Sequence, residues 1–194
     1  MRFLLAVGAL VALDLVLVLF LTRREASAGT ALRLDVAGLV HTSELVVEGR
    51  VLAAEPHEEQ GLLVTEYLLE VERTHKGAHE ATRAVRIPGG LRADGSGLLI
   101  PGLAAPAAGA EVLLFLGPEG RAGARLPTGL AQGVFTLERL SDGTKRLARD
   151  ARALELFDGE GFTRGERTRH AYAELLAAIT AARASEMSTE EQGR

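Results

Sequence analysis

The chain has 194 residues, a formal net charge of −4, no cysteine and no tryptophan. That is enough for one domain with a real core plus short extensions. It excludes a disulfide framework and a thiolate zinc site, and it offers no electrostatic footprint for nucleic acid. The two tyrosines, Tyr67 and Tyr172, leave few platforms on which a base or sugar could stack.

Arg2 opens the chain, and an apolar run follows over residues 3–21, broken only by Asp14. Arg23, Arg24 and then Ala26-Ser27-Ala28 come next. Small residues spaced A-x-A before Gly29 fit a signal-peptidase site. The run is also long enough to span a bilayer as a retained anchor. Asp14 weakens an anchor by about 2.5–3.5 kcal/mol, while two arginines after the run are unusual for a cleaved signal. Residues 1–28 are therefore expected to be a signal peptide or an N-terminal membrane anchor. The rest of the chain is expected to be exported, to the periplasm or the cell exterior, and to meet the membrane only through this segment.

Residues 32–43 place Leu32, Val36, Leu39 and Val40 at helical spacing, with Asp35 as N-cap, and predict a short helix. Residues 44–55 predict a strand with Leu45, Val47, Gly49, Val51 and Ala53 on one face. Residues 56–61 read as a turn. Residues 62–77 alternate, with Leu63, Tyr67, Leu69 and Val71 inward and Glu66, Glu70 and Glu72 outward as a solvated face. A third strand, 81–89, points Val85 and Ile87 inward. Residues 110–117 form a near-continuous apolar run, the pattern of a strand buried on both faces. Residues 134–140 and 145–150 add a fifth and sixth strand around the turn Asp142-Gly143-Thr144. Over 165–184 the period changes. Tyr172, Leu175, Leu176 and Ile179 fall at i, i+3, i+4 and i+7, which predicts an amphipathic helix. The polar residues 185–194 are expected to be a disordered tail. The fold class expected is mostly β with flanking helices: a small antiparallel OB-like barrel of five to six strands over 32–150.

The glycine-rich segment 87–102, "IPGGLRADGSGLLIPG", is tested against three chemistries. Gly90 and Gly95 have P-loop spacing, but no lysine lies between Lys76 and Lys145 to reach a phosphate. A calcium loop needs more oxygen side chains than Asp94 and Ser96. A nucleophile elbow needs glycines two before and two after the serine, where this chain has Asp94 and Leu98. The glycines are expected to serve turns, with Leu98, Leu99 and Ile100 folding back onto the barrel. Arg92 and Asp94 at the loop tip are the expected contacts to a protein partner.

His75 and His79 stand at i, i+4 spacing, but Gly77 between them argues against a helix, so both are expected to be solvated in a turn. The segment 57–61, "HEEQG", lacks the second histidine of a zincin motif. Arginines from 146 to 169 are interspersed with acidic residues, the pattern of a mixed-charge surface. No catalytic, cofactor-binding or metal-binding residue is assigned.

Taken in order, "SELVVEGRV" (43–51), "TEYLLEVERTHKG" (65–77), "VRIPGG" (85–90), "GAEVLLFLG" (109–117) and "QGVFTL" (132–137) resemble a group of exported bacterial proteins without an assigned activity. The resemblance implies a secreted OB-like barrel and no catalytic residues. A more distant architectural likeness is to the inhibitory domain of tissue metalloproteinase inhibitors and netrins, which use an N-terminal cysteine and disulfides that this chain lacks. The function expected is an exported, non-catalytic binding or accessory module of the cell envelope, monomeric, acting on an envelope or secreted protein. The alternatives are an inhibitor or accessory domain for a secreted metalloprotease, and an unrecognised hydrolase.

Overall fold

The structure is a computed structural model that describes residues 29–192. The signal peptide or anchor expected over 1–28 lies outside the described residues. Among the described residues, no helix is long and apolar enough to cross a membrane.

The elements in chain order are β1 (Gly29–Leu32), α1 (Val36–Thr42), β2 (Leu45–Glu59), β3 (Leu62–Lys76), β4 (Thr82–Pro88), β5 (Gly90–Leu91), β6 (Gly97–Leu98), β7 (Glu111–Glu119), β8 (Arg125–Pro127), β9 (Val134–Arg139), β10 (Lys145–Asp150), β11 (Leu154–Phe157), β12 (Phe162–Arg164), β13 (Arg167–Ala171) and α2 (Tyr172–Gln192). The main sheet runs β13-β10-β9-β7-β2-β3-β4, with β8 paired to β7, and all its pairings are antiparallel. A smaller sheet, β1-β11-β12, contains a parallel β1–β11 pair. β5 and β6 form a separate hairpin. The chain is mostly β with two helices, and none of the sheets closes into a barrel. Edge strand β4 approaches the start of β8 through a single bridge, Arg86 to Ala124.

β7 divides the interior, and its uninterrupted apolar run has the physical cause anticipated from sequence. Val112, Leu114 and Leu116 join one buried cluster with Leu45, Val47, Tyr67, Leu69, Val85 and Ile87. Leu113 and Phe115 face the opposite cluster, where Leu39 and Val40 of α1 and Leu175 and Ile179 of α2 cover the sheet. Phe115 and Phe135 meet there with ring centroids 5.7 Å apart, tilted as aromatic quadrupoles prefer. Asp35 caps α1 as its position predicts, accepting from the Gly38 amide at 2.7 Å.

Several boundaries differ from the sequence reading. Leu32 belongs to β1, not to the first helix. The stretch 56–61 is not a turn: β2 runs to Glu59, and only Gln60 and Gly61 reverse the chain, both with positive φ. Pro56 is tolerated because β7 pairs with Leu45–Arg50, and among the described residues no strand pairs with the outer edge of the far half of β2, so a missing N–H breaks no ladder there. An irregularity between Val51 and Ala53 turns Ala54, rather than Ala53, toward the core. Residues 167–171 are strand β13, held by β10, so the helix begins only at Tyr172.

The same helix continues to Gln192, so the tail expected from 185 is helical as far as the described residues go. Its buried stripe extends through Ala182 to Glu186, whose carboxylate accepts from Lys76 at 2.9 Å and from Arg183 at 2.5 Å. That pairing carries the polar C-terminal turns onto the sheet. The seven strands not anticipated are two to five residues long, too short for a period to register.

Candidate functional site

The glycine segment is a docked hairpin, not a slack bridge. Gly89 and Gly90 hold φ of +97° and +144°, which only glycine adopts readily. A Cβ on Gly90 would collide with the Thr65 hydroxyl, and one on Gly97 with the Gly90 carbonyl. The Thr65 hydroxyl donates to the Gly89 carbonyl at 2.8 Å, fastening the hairpin base to β3. Backbone therefore lies where side chains would otherwise keep the hairpin off the sheet.

At the tip, the exposed Asp94 bonds within its own turn. Its carboxylate accepts from the Ser96 hydroxyl at 2.7 Å and the Ser96 amide at 2.9 Å. These two hydrogen bonds hold its carboxyl below the usual range. Arg92 donates to Glu58 at 3.3 Å and to the Ser96 hydroxyl at 3.4 Å. The charged pair singled out from sequence thus builds the turn. Leucines are exposed beside them: Leu91 is 54% exposed, Leu98 40% and Leu99 73%. The expectation that Leu98, Leu99 and Ile100 fold back holds only for Ile100, because the hairpin docks through its glycine backbone and its leucines are left outside.

Beneath the hairpin lies a cavity of about 290 Å³, walled by Ala54, Pro56, Tyr67 and Ile87 and rimmed by Leu98 and Leu99. Burial pushes the Tyr67 phenol above its usual pKa despite the Thr65 hydroxyl nearby, so it is neutral at physiological pH. Among the described residues, the wall carries no carboxylate, imidazole or amine. The lining is apolar apart from the Tyr67 phenol, the Thr65 hydroxyl and backbone groups.

The acid–base chemistry sits elsewhere, sealed. Glu48 of β2 points away from the cavity, with its side chain 5% exposed. It accepts from the Tyr172 hydroxyl at 2.6 Å and stands 3.4 Å from His75 Nε2. Burial disfavours its charge, but the hydrogen bonds of His75 and Tyr172 and the nearby Arg73 outweigh that and lower its pKa. Burial first, then the bond to Glu48, pushes the Tyr172 phenol up to about 12.

His75 is therefore not solvated as expected from sequence: its side chain is only 8% exposed against Glu48. His79 is exposed and meets the Thr74 hydroxyl at 3.2 Å. The partners of Glu48 lie 27 and 124 residues away in sequence, which is why no motif revealed the trio. The one local signal is a carboxylate set inside the apolar strand "ELVVEGRV". Among the described residues, no three His, Cys, Asp or Glu side chains converge on a metal-sized point.

No protein-family profile, curated protein or solved structure matches this chain.

Proposed function

We propose that this chain is an exported, non-catalytic binding module of the cell envelope whose site is the apolar cavity under the β5–β6 hairpin. The observation that supports it most is the separation of the two constellations. The accessible cavity is apolar and rimmed by exposed leucines, while Glu48 is buried, with His75 and the half-buried Tyr172 packed on it, and none of the three lines this cavity. In keeping with the resemblance to exported barrel proteins, we read the curled main sheet, with β4 brought to β8 at one bridge, as an OB-like barrel left open.

The occupant that fits best is an extended segment of an envelope protein. Ala54 and Pro56 lie both in the cavity wall and on the far half of β2, whose outer edge carries no strand among the described residues. A segment added along that edge would drop alternate side chains into the cavity. Its size admits one or two leucine- or phenylalanine-like groups, at the lower limit of small-ligand pockets.

Titrating blocked peptides with leucine or phenylalanine at alternate positions is expected to move the amide resonances of residues 54, 55, 89–91, 98–100 and 102–104 saturably. Filling the cavity by Ala54→Leu is expected to weaken that binding at least tenfold with little change in stability. Peptides that move none of these resonances at millimolar concentration would rule out the site.

A further inference from the structure

We infer that the exposed leucines of the β5–β6 hairpin rest on the lipid surface in which residues 3–21 are retained. The hairpin would then be a second, non-covalent membrane contact beside the anchor. The inference rests on export with the N-terminal segment uncleaved, and not on occupation of the cavity.

Three observations carry it. The first is where the described chain begins. Gly29 is packed so tightly on the base of the glycine segment that a Cβ there would collide with the Pro101 carbonyl. Its amide donates to the Ala153 carbonyl at 3.1 Å, so this starting point is fixed to the fold. The second is reach. Residues 22–28 separate the apolar run from Gly29, and at full extension they span at most ~25 Å. Leu99 is two residues from Pro101, so it lies on the side of the domain that the anchor holds close to the bilayer.

The third observation is chemistry. Leu99 is 73% exposed and Leu91 54%, on a hairpin whose Asp94 and Arg92 are hydrogen-bonded but exposed. Asp94 is bonded to Ser96, and Arg92 to Glu58 and Ser96. Leu91 and Leu99 offer apolar surface to the hydrocarbon boundary, while the exposed Asp94 and the Arg92–Glu58 pair stay in the hydrated headgroup layer.

The chain has no tryptophan, so a single indole reports without background. Full-length Leu99→Trp is reconstituted through its own N-terminal segment into phosphatidylcholine vesicles, with and without phosphatidylglycerol. Leu140→Trp serves as the reference. That residue is 36% exposed in the β9–β10 turn, at the opposite end of β10 from Ala151, which packs with Leu154 near Gly29. The Leu99→Trp emission is expected to shift to the blue, to be quenched by bromine-labelled acyl chains, and to be protected from iodide at least threefold relative to Leu140→Trp.

Equal iodide quenching at both positions, with no quenching by brominated lipid, would overturn the inference. So would recovery of the native chain from the envelope with Gly29 as its first residue, since the tether would then be gone. Neither result touches the peptide titration, which reads the cavity alone. An indole at 99 that is shielded only after an envelope protein is added would assign the leucines to a protein partner and also overturn the lipid contact.

Discussion

Replacing Glu48 with alanine is expected to destabilise the domain by about 3–4 kcal/mol, the range for removing one partner of a buried charged network. The truncation leaves the half-buried Tyr172 hydroxyl and the His75 ring, 8% exposed, without their shared acceptor. It also unfastens α2, whose first residue is Tyr172, from strand β2. Tyr172→Phe removes one hydrogen bond and keeps the ring, and should cost about 1–2 kcal/mol. Because the two groups act through one bond, the double variant should be less damaged than the sum of the singles. Urea unfolding of the four proteins measures this directly, and full additivity would show that the bond contributes nothing.

The same variants have opposite pH signatures. The Glu48 carboxyl titrates below its ordinary 4.5 in the folded state. Its contribution is therefore fully present above about 4.5 and is lost as pH falls through the folded value. Tyr172 titrates near 12 when folded against an ordinary 10.0. Its contribution is full below 10 and disappears as pH rises toward 12. The stability gap between the parent and Glu48→Ala should therefore narrow in acid. The gap to Tyr172→Phe should narrow in alkali.

Gly49→Ala is expected to cost about 3 kcal/mol, as overpacking against immovable backbone does. Gly49 sits at a register irregularity of β2, where a Cβ would collide with the Glu70 carbonyl and lie 3.0 Å from Val71 Cα. Both obstacles are backbone of the paired strand, so no rotamer change relieves them. Gly161→Ala is the control: nothing lies within 4 Å of the added carbon and its φ is not in the left-handed region. It should be neutral to within about 0.5 kcal/mol. Comparable losses at both positions, read as denaturation midpoints at unchanged slope, would remove the close approach as the cause.

Gly49 and Glu48 also show where sequence reasoning stopped. Alternation along β2 places Glu48 on the opposite face from Val47, and it does lie there. Whether that face is wet or dry depends on α2, which arrives 124 residues later. Similarly, glycine at 90 and 97 signals a special backbone. The choice between a left-handed turn and contact with Thr65 depends on the placement of β3.

What this sequence determined by itself is what local period and local caps can encode. The six long strands, the two-faced burial of β7, the Asp35 cap and the apolar stripe from Tyr172 to Ile179 each rest on residues within one element. The tertiary structure alone decided the short strands β1, β5, β6, β8 and β11 to β13, the burial of His75 with Glu48, and the continuation of α2 past residue 184 on the Glu186–Lys76 pair. It also placed Leu91, Leu98 and Leu99 on the outside of the hairpin beside the exposed Arg92 and Asp94. The physical reason is the same throughout. A strand of two to five residues, a buried ion or an exposed leucine is stabilised or left bare by partners far away in the chain, and no window of neighbouring residues contains them.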